Sequence, residues 1–270
     1  MNSVRFKSFS SGSCGNCYFI GLFSDGLRRC EAGVLIDAGV SPRRLKKELQ
    51  VDGLCFDDFG AVLITHDHMD HIRSLGSFCK HIGKPVWTSE KIYRALCFNP
   101  LTRDWIRDFR KPMAPGTWNE IIPGRIRARC FTVPHDATET VGYAILLDDF
   151  KFVIMTDIGR MTEEALGLAL QADAVVIESN YDPEMLRLGP YPPDLQARIR
   201  GGHGHLSNPE CAEAIRAFRH EGLRHIFLCH LSEHNNTPEL AWSESHEAAA
   251  GIPLAPLPRQ SASPLYILMD

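Results

Sequence analysis

The sequence predicts an α/β fold in which two mixed β-sheets pack against each other and are flanked by helices, an αββα sandwich. Two observations predict it. Short apolar runs separated by turn residues come first in pairs, and later runs alternate with helical patterns in both halves of the chain. Two sheets covered by helices fit this order better than one doubly wound parallel sheet does.

Nine apolar runs predict buried strands, because each is short and turn residues separate it from the next. These strands are expected at residues 17–20, 33–36, 61–64, 127–133, 141–147, 150–155, 174–177, 225–229 and 265–269.

Helical patterns lie between these strands. Ser41 and Pro42 give an N-cap and a first-turn proline to a helix predicted at residues 43–50. Asn208-Pro209-Glu210 opens a second helix, through residues 211–220, in the same way, and residues 161–170 predict a third.

Two further stretches contain no predicted strand or helix. Residues 99–119 are polar and carry several arginines and prolines, which favours a solvated surface segment over an insertion near the site. Residues 250–263 are rich in proline and alanine and predict a loop before the last strand.

Composition excludes several classes of protein. The 270 residues are 44% hydrophobic and 23% charged, which excludes disordered and fibrous chains. There is no apolar run of about eighteen residues, so no membrane-spanning helix and no membrane partner are expected. Nine scattered cysteines favour reduced thiols and a cytoplasmic location over disulfides. A net charge of −4 excludes a uniformly basic coat for nucleic acid. Without repeats or a long linker, residues 1–270 are expected to form a single domain.

Metal-ligating residue types are concentrated in the segment that follows the strand at 61–64. His66, His68, Asp70 and His71 lie within six residues, in the order H-x-H-x-D-H. The spacing lets a loop present His66 and His68 to one ion, while Asp70 and His71 face a second. Imidazole and carboxylate ligands suit zinc, manganese or iron, and the lack of thiolates argues against a purely structural zinc.

Four more residues of ligand type follow apolar runs directly. They are Asp37, His135, Asp157 and His230. Each one alone is typical of a polar residue at a strand end. Taken together, and in this order around the cluster at 66–71, the four form one set of ligand-type residues with that cluster.

This ordered set resembles the five motifs of the metallo-β-lactamase superfamily, with Asp37 in Leu-Ile-Asp-Ala-Gly and Asp157 in Thr-Asp-Ile-Gly. The resemblance implies the αββα sandwich and two divalent ions at one edge of the sheets. It places His66, His68 and His135 on the first ion, Asp70, His71 and His230 on the second, and Asp157 between them. Asp37 then corresponds to the carboxylate that orients the histidine loop.

Three shorter segments are similar to the YycJ/WalJ-type branch of this superfamily. They are residues 10–17, 204–208 and 230–236. The similarity implies 5′-to-3′ exonuclease activity on DNA, in which a metal-bridged hydroxide attacks the phosphodiester. Cys14 departs from the serine expected there, and Cys14-x-x-Cys17 predicts a tight glycine turn under the site rather than a metal pair.

Glu178 and His205 are similar to the carboxylate and histidine pair of the tRNA 3′-processing ribonuclease. Glu178 ends a predicted strand after Asp157, and His205 lies in a glycine-rich loop before a capped helix. The resemblance implies that His205 protonates the leaving oxygen and that Glu178 orients it. Alternatively, His205 only caps the turn. Asn235 and Asn236, after the last ligand, either contact substrate or shape their loop.

Three other functions stay open at this stage. A thioesterase or lactonase of glyoxalase type would use the same ions, and an RNA-processing nuclease would use the same chemistry. A metal-binding regulator without turnover is the third. The complete ligand set argues against the regulator, and the Glu178/His205 pair favours a nuclease. The expected partner is therefore a nucleic acid, with DNA favoured, while the oligomeric state is left open.

Overall fold

Two seven-stranded β-sheets with helices beside them make up the computed structural model, which describes residues 2–24 and 29–269. The prediction of an αββα sandwich is therefore confirmed. In each sheet three neighbouring pairs of strands are antiparallel and three are parallel, so both sheets are mixed.

The first sheet has the strand order β14-β1-β2-β3-β4-β5-β6. Its strands are β1 (Asn2–Gly12), β2 (Gly15–Ser24), β3 (Arg29–Ile36), β4 (Ala61–Leu63), β5 (Val86–Ser89), β6 (Arg110–Met113) and β14 (Tyr266–Met269).

The second sheet has the order β13-β12-β11-β10-β9-β8-β7. Its strands are β7 (Trp118–Ile122), β8 (Ile126–Val133), β9 (Thr140–Leu147), β10 (Phe150–Met155), β11 (Ala174–Glu178), β12 (His225–Cys229) and β13 (Leu254–Pro256).

The helices connect these strands, and most begin at a polar cap. They are α1 (Pro42–Val51), α2 (Met69–Ile72), α3 (Leu75–His81), α4 (Glu90–Phe98), α5 (Glu163–Ala169), α6 (Pro183–Leu188), α7 (Pro193–Arg200), α8 (Asn208–Phe218) and α9 (Pro238–Ala249). Ser41 caps α1 as predicted, and the hydroxyl of Ser207 caps α8 through a capping box with Glu210.

Five strands, β1, β5, β6, β7 and β13, lie where no strand was predicted, and two of them fall in the stretches discussed above. Residues 110–113, inside the segment predicted to be a surface stretch, form edge strand β6, which pairs in parallel with β5. Residues 254–256, inside the predicted loop, form edge strand β13 beside β12. Both strands contain a proline, which an edge strand tolerates because one of its sides has no partner strand. Their pairing depends on the neighbouring strand rather than on local apolar pattern.

The core between the two sheets is aromatic. The Phe6 ring of β1 lies 5.3 Å from the Phe152 ring of β10 and 4.9 Å from the Phe227 ring of β12, measured between ring centroids. All three rings are almost completely buried. Aromatic rings bury large apolar areas and prefer such tilted contacts, so this cluster contributes strongly to holding the sheets together.

Strand direction decides where the polar residues gather. β3 and β4 are parallel, as are β10, β11 and β12. β8 is antiparallel to β9, which is antiparallel to β10, so β8 runs in the direction of β10. The carboxyl ends of β8, β10, β11 and β12 therefore lie at one edge of the second sheet. In the first sheet, β3 and β4 also end side by side.

No helix within residues 2–24 and 29–269 is long and apolar enough to cross a membrane.

We expect Phe6→Ala to lower the free energy of unfolding by about 3–5 kcal/mol, because it leaves a cavity between the sheets. Phe98→Ala is the matched control, since Phe98 is 83% exposed; its effect should stay within about 0.5 kcal/mol. Chemical denaturation of both variants measures the difference. Similar losses in the two would contradict the assignment of Phe6 to the inter-sheet core.

Candidate metal centre

The predicted site residues meet at the edge where the strands end. Asp37 follows β3, the segment 65–71 follows β4, and His135 lies just beyond β8. Asp157, Glu178 and His230 are placed by β10, β11 and β12 respectively. The fold thus brings residues that are up to 193 positions apart in sequence into one cluster.

Three of these residues have left-handed backbone conformations. The φ angles are 61° at Asp37, 54° at Asp157 and 53° at His230. This region costs a non-glycine residue about 1–2 kcal/mol. Asp37 and His230 sit directly after a strand and Asp157 two residues after one, where the chain must leave the sheet sharply. Strain of this kind persists where the surrounding structure fixes it, and it is concentrated at functional sites.

The first ligand group consists of His66, His68 and His135, whose nitrogens lie within 4.8 Å of one another. His68 Nδ1 is 3.3 Å from His135 Nε2. His66 Nε2 is buried and has no hydrogen-bond partner among the described residues. A buried imidazole nitrogen without a partner is costly unless a cation binds it, so this arrangement fits a metal ion.

The second group consists of Asp70, His71 and His230, again within 4.8 Å. The Asp70 Oδ2 atom lies 3.4 Å from His71 Nε2 and 3.4 Å from His230 Nε2. Two imidazoles and a carboxylate with converging atoms are ligands that zinc, manganese and iron accept.

Asp157 lies between the two groups. Its Oδ2 is 3.2 Å from His71 Nε2, and its Oδ1 is 3.6 Å from His135 Nε2 and 3.4 Å from His230 Nδ1. One carboxylate thus reaches histidines of both groups, which is the position that a bridging ligand needs.

Asp37 is completely buried and holds the histidine loop from beneath. Its Oδ2 is 2.7 Å from His71 Nδ1, and its Oδ1 accepts a hydrogen bond from the Thr65 backbone N–H at 2.9 Å. This contact fixes the His71 ring with Nε2 toward the cluster, as the carboxylate behind a metal-binding histidine does.

Sequence reasoning missed several polar residues that hold the ligands. Asn16 Nδ2 donates to Asp70 Oδ2 at 3.0 Å and lies 2.9 Å from His71 Nε2. The Thr65 hydroxyl donates to Asp37 and lies 3.0 Å from His66 Nδ1. Asn180 Nδ2 donates to the His230 carbonyl at 2.7 Å. Only the proximity of Thr65 to the histidine motif is visible in the sequence.

The turn before Asn16 agrees with the predicted glycine turn. Gly15 has φ of 149°, and a Cβ there would lie 2.8 Å from the Gly39 carbonyl oxygen. A side chain does not fit between these backbones, so glycine lets the β1–β2 hairpin approach the site.

His205 and Glu178 form a directly bonded pair beside the cluster. His205 Nδ1 is 2.7 Å from Glu178 Oε1, and the same oxygen is 3.0 Å from His230 Nδ1. Glu178 Oε2 accepts from the backbone N–H groups of Ile158 and Leu206, so the carboxylate is rigidly held. Because Glu178 occupies Nδ1, His205 has Nε2 free for the cleft that it lines.

Asn235 and Asn236 are buried in their loop. Asn236 Nδ2 donates to the Ser179 carbonyl at 2.9 Å and to Asn208 Oδ1 at 2.8 Å, while its Oδ1 accepts from Asn208 and from the Thr237 N–H. Asn235 Nδ2 donates to Ser232 Oγ at 3.3 Å. These contacts favour the loop-shaping alternative for Asn236, whereas the buried Oδ1 of Asn235 has no hydrogen-bond partner among the described residues.

Charge pairing shifts the pKa values of the cluster in opposite directions. Burial opposes protonation, but Asp157, Asp70 and Glu178 raise the pKa of His230 to about 10. Against the same burial, Asp37, Asp70 and Asp157 hold the pKa of His71 well above its ordinary range. Burial and the neighbouring His71 lower the pKa of His66 well below that range. Without metal, the surrounding carboxylates therefore favour the protonated forms of His71 and His230, and burial favours neutral His66.

The fold and the motifs together define the class of protein. A family model described as "Beta-lactamase superfamily domain" matches residues 33–231, and the chain belongs to this superfamily. Its fold implies divalent metal ions, and the donor set described above fits them.

The chain is similar in sequence to two bacterial proteins that are named as exodeoxyribonucleases. The chain is 34% identical over 238 residues to "Exodeoxyribonuclease YycJ" of Bacillus anthracis, covering 88% of this chain and 86% of the relative. It is 33% identical over 243 residues to "Exodeoxyribonuclease WalJ" of Streptococcus pneumoniae, covering 89% and 87%. The metallo-β-lactamase fold protein YhfI of Bacillus subtilis superposes with a TM-score of 0.68 at 15% identity, covering 97% of this chain and 99% of YhfI.

We expect zinc binding to release protons at pH 7, because His71 and His230 carry protons that a metal displaces. The apparent affinity for zinc should accordingly rise with pH. Calorimetric titration of the metal-free protein in buffers of different ionisation enthalpy measures the number released. His81→Ala is the control, since His81 is exposed at the end of α3. Zinc binding without proton release would contradict the charge state described here.

Proposed function

We propose that this protein is a metal-dependent phosphodiesterase that acts as a 5′-to-3′ DNA exonuclease with two divalent ions of zinc, manganese or iron. The observation that carries the proposal is the position of Asp157 between two complete ligand groups, with the His205–Glu178 pair directly beside them. The two relatives named as exodeoxyribonucleases, each aligned with most of the chain, support DNA as the substrate.

Two ions would use the seven predicted ligands without rearranging the fold. His66, His68 and His135 would hold one ion, Asp70, His71 and His230 the other, and Asp157 would bridge them. When bound, such a pair supplies Lewis-acid stabilisation of the attacking and leaving oxygens in an in-line displacement at phosphorus. Asp37 would keep the His71 ring in the productive orientation, and Asp70 would orient the attacking water by accepting its hydrogen bond.

The leaving group needs a proton, and His205 is the residue to give it. In hydrolysis, water forms a new bond to phosphorus and releases a proton to solvent, while the bond from phosphorus to the 3′-oxygen breaks. His205 Nε2–H would donate to that oxygen, giving a 3′-hydroxyl on the departing nucleotide and a 5′-phosphate on the remaining strand. Glu178 would support the donor, because its carboxylate stabilises the charged imidazole and raises the pKa of His205 against the effect of burial.

Glu178 has a second contact, so its role would not be purely catalytic. The oxygen that meets His205 also lies 3.0 Å from His230 Nδ1. A change at Glu178 would thus disturb a proposed ligand and the proton donor together, whereas His205 belongs to neither of the two ligand groups assigned here. His205 is consequently the better residue for testing the reaction.

One assay tests the proposed activity as a whole. Protein reconstituted with zinc, manganese or iron is incubated with end-labelled single- and double-stranded DNA, with RNA, and with a thioester. Stepwise shortening of DNA from its 5′ end is the expected result. Preferential cleavage of RNA or of the thioester would replace the DNA exonuclease with one of the other hydrolases of this fold.

We expect two metal ions per chain, and Asp157→Ala should lower metal content more than His205→Ala does. Asp157 would contact both ions, and His205 neither. Elemental analysis after reconstitution with excess metal and removal of free metal measures both variants beside the unmodified protein. At most one ion in the unmodified protein, or equal losses in the two variants, would contradict the assigned roles.

We expect His205→Ala to keep its metal and to lose about 10²–10⁴-fold in rate on DNA, the usual contribution of a positioned general acid. Cleavage of an activated aryl phosphodiester should fall much less, because its phenolate leaving group needs little protonation. Rates on both substrates are compared in one metal-replete sample. Equal losses on both, with unchanged metal content, would remove His205 from the catalytic residues.

A further inference from the structure

A cleft of about 280 Å³ opens beside the metal centre. Its lining includes three histidines of the site, His68, His205 and His230. It also includes Tyr191, Leu195 and Arg198, from α7 and the turn before it, which we call the outer wall. The volume is just below the roughly 300 Å³ at which the range for small-molecule sites begins. A cleft this small suits one terminal unit of a strand better than a stacked duplex.

The outer wall of the cleft is a separate apolar unit. Tyr181, Leu186 and Ile199 form a small buried cluster around α6 and α7, and Tyr191 and Leu195 pack partly buried against it. Tyr191 also lies near the His234 ring, with centroids 6.0 Å apart. The ring of Tyr191 is thereby held at the cleft rather than free in solvent, and an aromatic face at a cleft is a stacking platform for a base.

Arg198 brings a permanent positive charge to the same cleft. It is the one lysine or arginine among the described residues that line it. Its Nε contacts Asp136 Oδ2, while the other Asp136 oxygen lies 3.4 Å from His135 Nε2. The Arg198 side chain is 61% exposed, and its terminal nitrogens have no partner in the part of the chain that the structure describes. Asp136 thus holds the guanidinium at the metal centre with two nitrogens available for an anion.

We propose that this cleft binds the 5′-terminal nucleotide of the DNA strand, with its base against Tyr191 and its 5′-phosphate on Arg198. This inference rests on the proposed function and adds the form of the substrate end. The direction in which the DNA strand lies in the cleft follows from His205, which lines the same cleft. The nucleotide whose 3′-oxygen receives the proton from His205 must lie on this side, and for 5′-to-3′ cleavage that is the terminal nucleotide.

Binding to metal-free protein in EDTA tests the subsite without cleavage. The probes are 3′-fluorescein-labelled single strands with a 5′-phosphate or a 5′-hydroxyl, and fluorescence anisotropy gives both affinities. We expect the 5′-phosphate strand to bind about tenfold more tightly, as charge-assisted hydrogen bonds to a guanidinium predict. Arg198→Ala should abolish this preference. Arg200→Ala, an exposed arginine on the same helix outside the cleft lining, should keep it.

The double variant Asp136→Asn/Arg198→Ala separates phosphate contact from charge neutralisation. Arg198→Ala alone leaves Asp136 unpaired, and its negative charge would repel the phosphate. If Arg198 contacts the phosphate, the double variant should also lack the preference. A restored preference would overturn the phosphate contact.

Tyr191 is tested through its ring. Tyr191→Phe should bind as the unmodified protein does. Tyr191→Leu, which keeps apolar packing against α6 and α7, should weaken both strands about tenfold through loss of stacking. Equal binding by the Phe and Leu variants would overturn the base contact.

Failure of this subsite is distinguishable from failure of the proposed function. Metal-loaded protein that shortens DNA, combined with Arg198→Ala and Tyr191→Leu variants that bind like Arg200→Ala, would overturn the subsite and leave the exonuclease. The expected binding preferences in a protein that cleaves no DNA would support the subsite and remove the exonuclease.

Discussion

The structure depends on a constraint of strand direction. In the second sheet β8, β10, β11 and β12 all point the same way, and in the first sheet β3 and β4 end together. Because the sheets pack face to face through aromatic residues such as Phe6, both sets of strand ends reach one edge. Asp37, Asp157 and His230 leave their strands in left-handed conformations at that edge. The backbone strain and the ligand positions thus have one origin.

Burying so many carboxylates at this edge costs free energy unless protons or cations pair with them. Asp37, Asp157 and Glu178 are almost completely buried, and burial of carboxylates is expensive unless each is paired. Protonated His71 and His230 provide part of that pairing, whereas His66 is kept neutral with an unpartnered Nε2. In such a cluster, protons and metal cations compete for the same nitrogen and oxygen atoms. Hydrogen bonds from Asn16 to Asp70 and contacts of the Thr65 hydroxyl with Asp37 and His66 orient these side chains.

The cleft beside the cluster is bordered by apolar residues that do not belong to the core of the two sheets. The apolar residues around α6 and α7 form their own small cluster, apart from the two larger cores. Arg198 is joined to the centre through Asp136, so a single ion pair connects this outer wall with the His68–His135 side of the site. The strand ends position the clustered histidines and carboxylates, whereas helices α6 and α7 shape the outer wall of the cleft.

The sequence by itself determined the fold class, nine strands, three helices and the ordered set of ligand-type residues, because apolar periodicity and local spacing are properties of the chain alone. It did not reveal strands β1 and β5, edge strands β6, β7 and β13, or the other six helices of residues 2–24 and 29–269. It also did not reveal Asn16, Asn180, Asp136 or the outer wall around Tyr191. These residues have no local signal, since an amide or a carboxylate in a loop is common everywhere. Only the tertiary structure decided their roles, because each depends on a partner distant in the sequence that the packing of the two sheets and of helices α6 and α7 brings within hydrogen-bond distance or van der Waals contact.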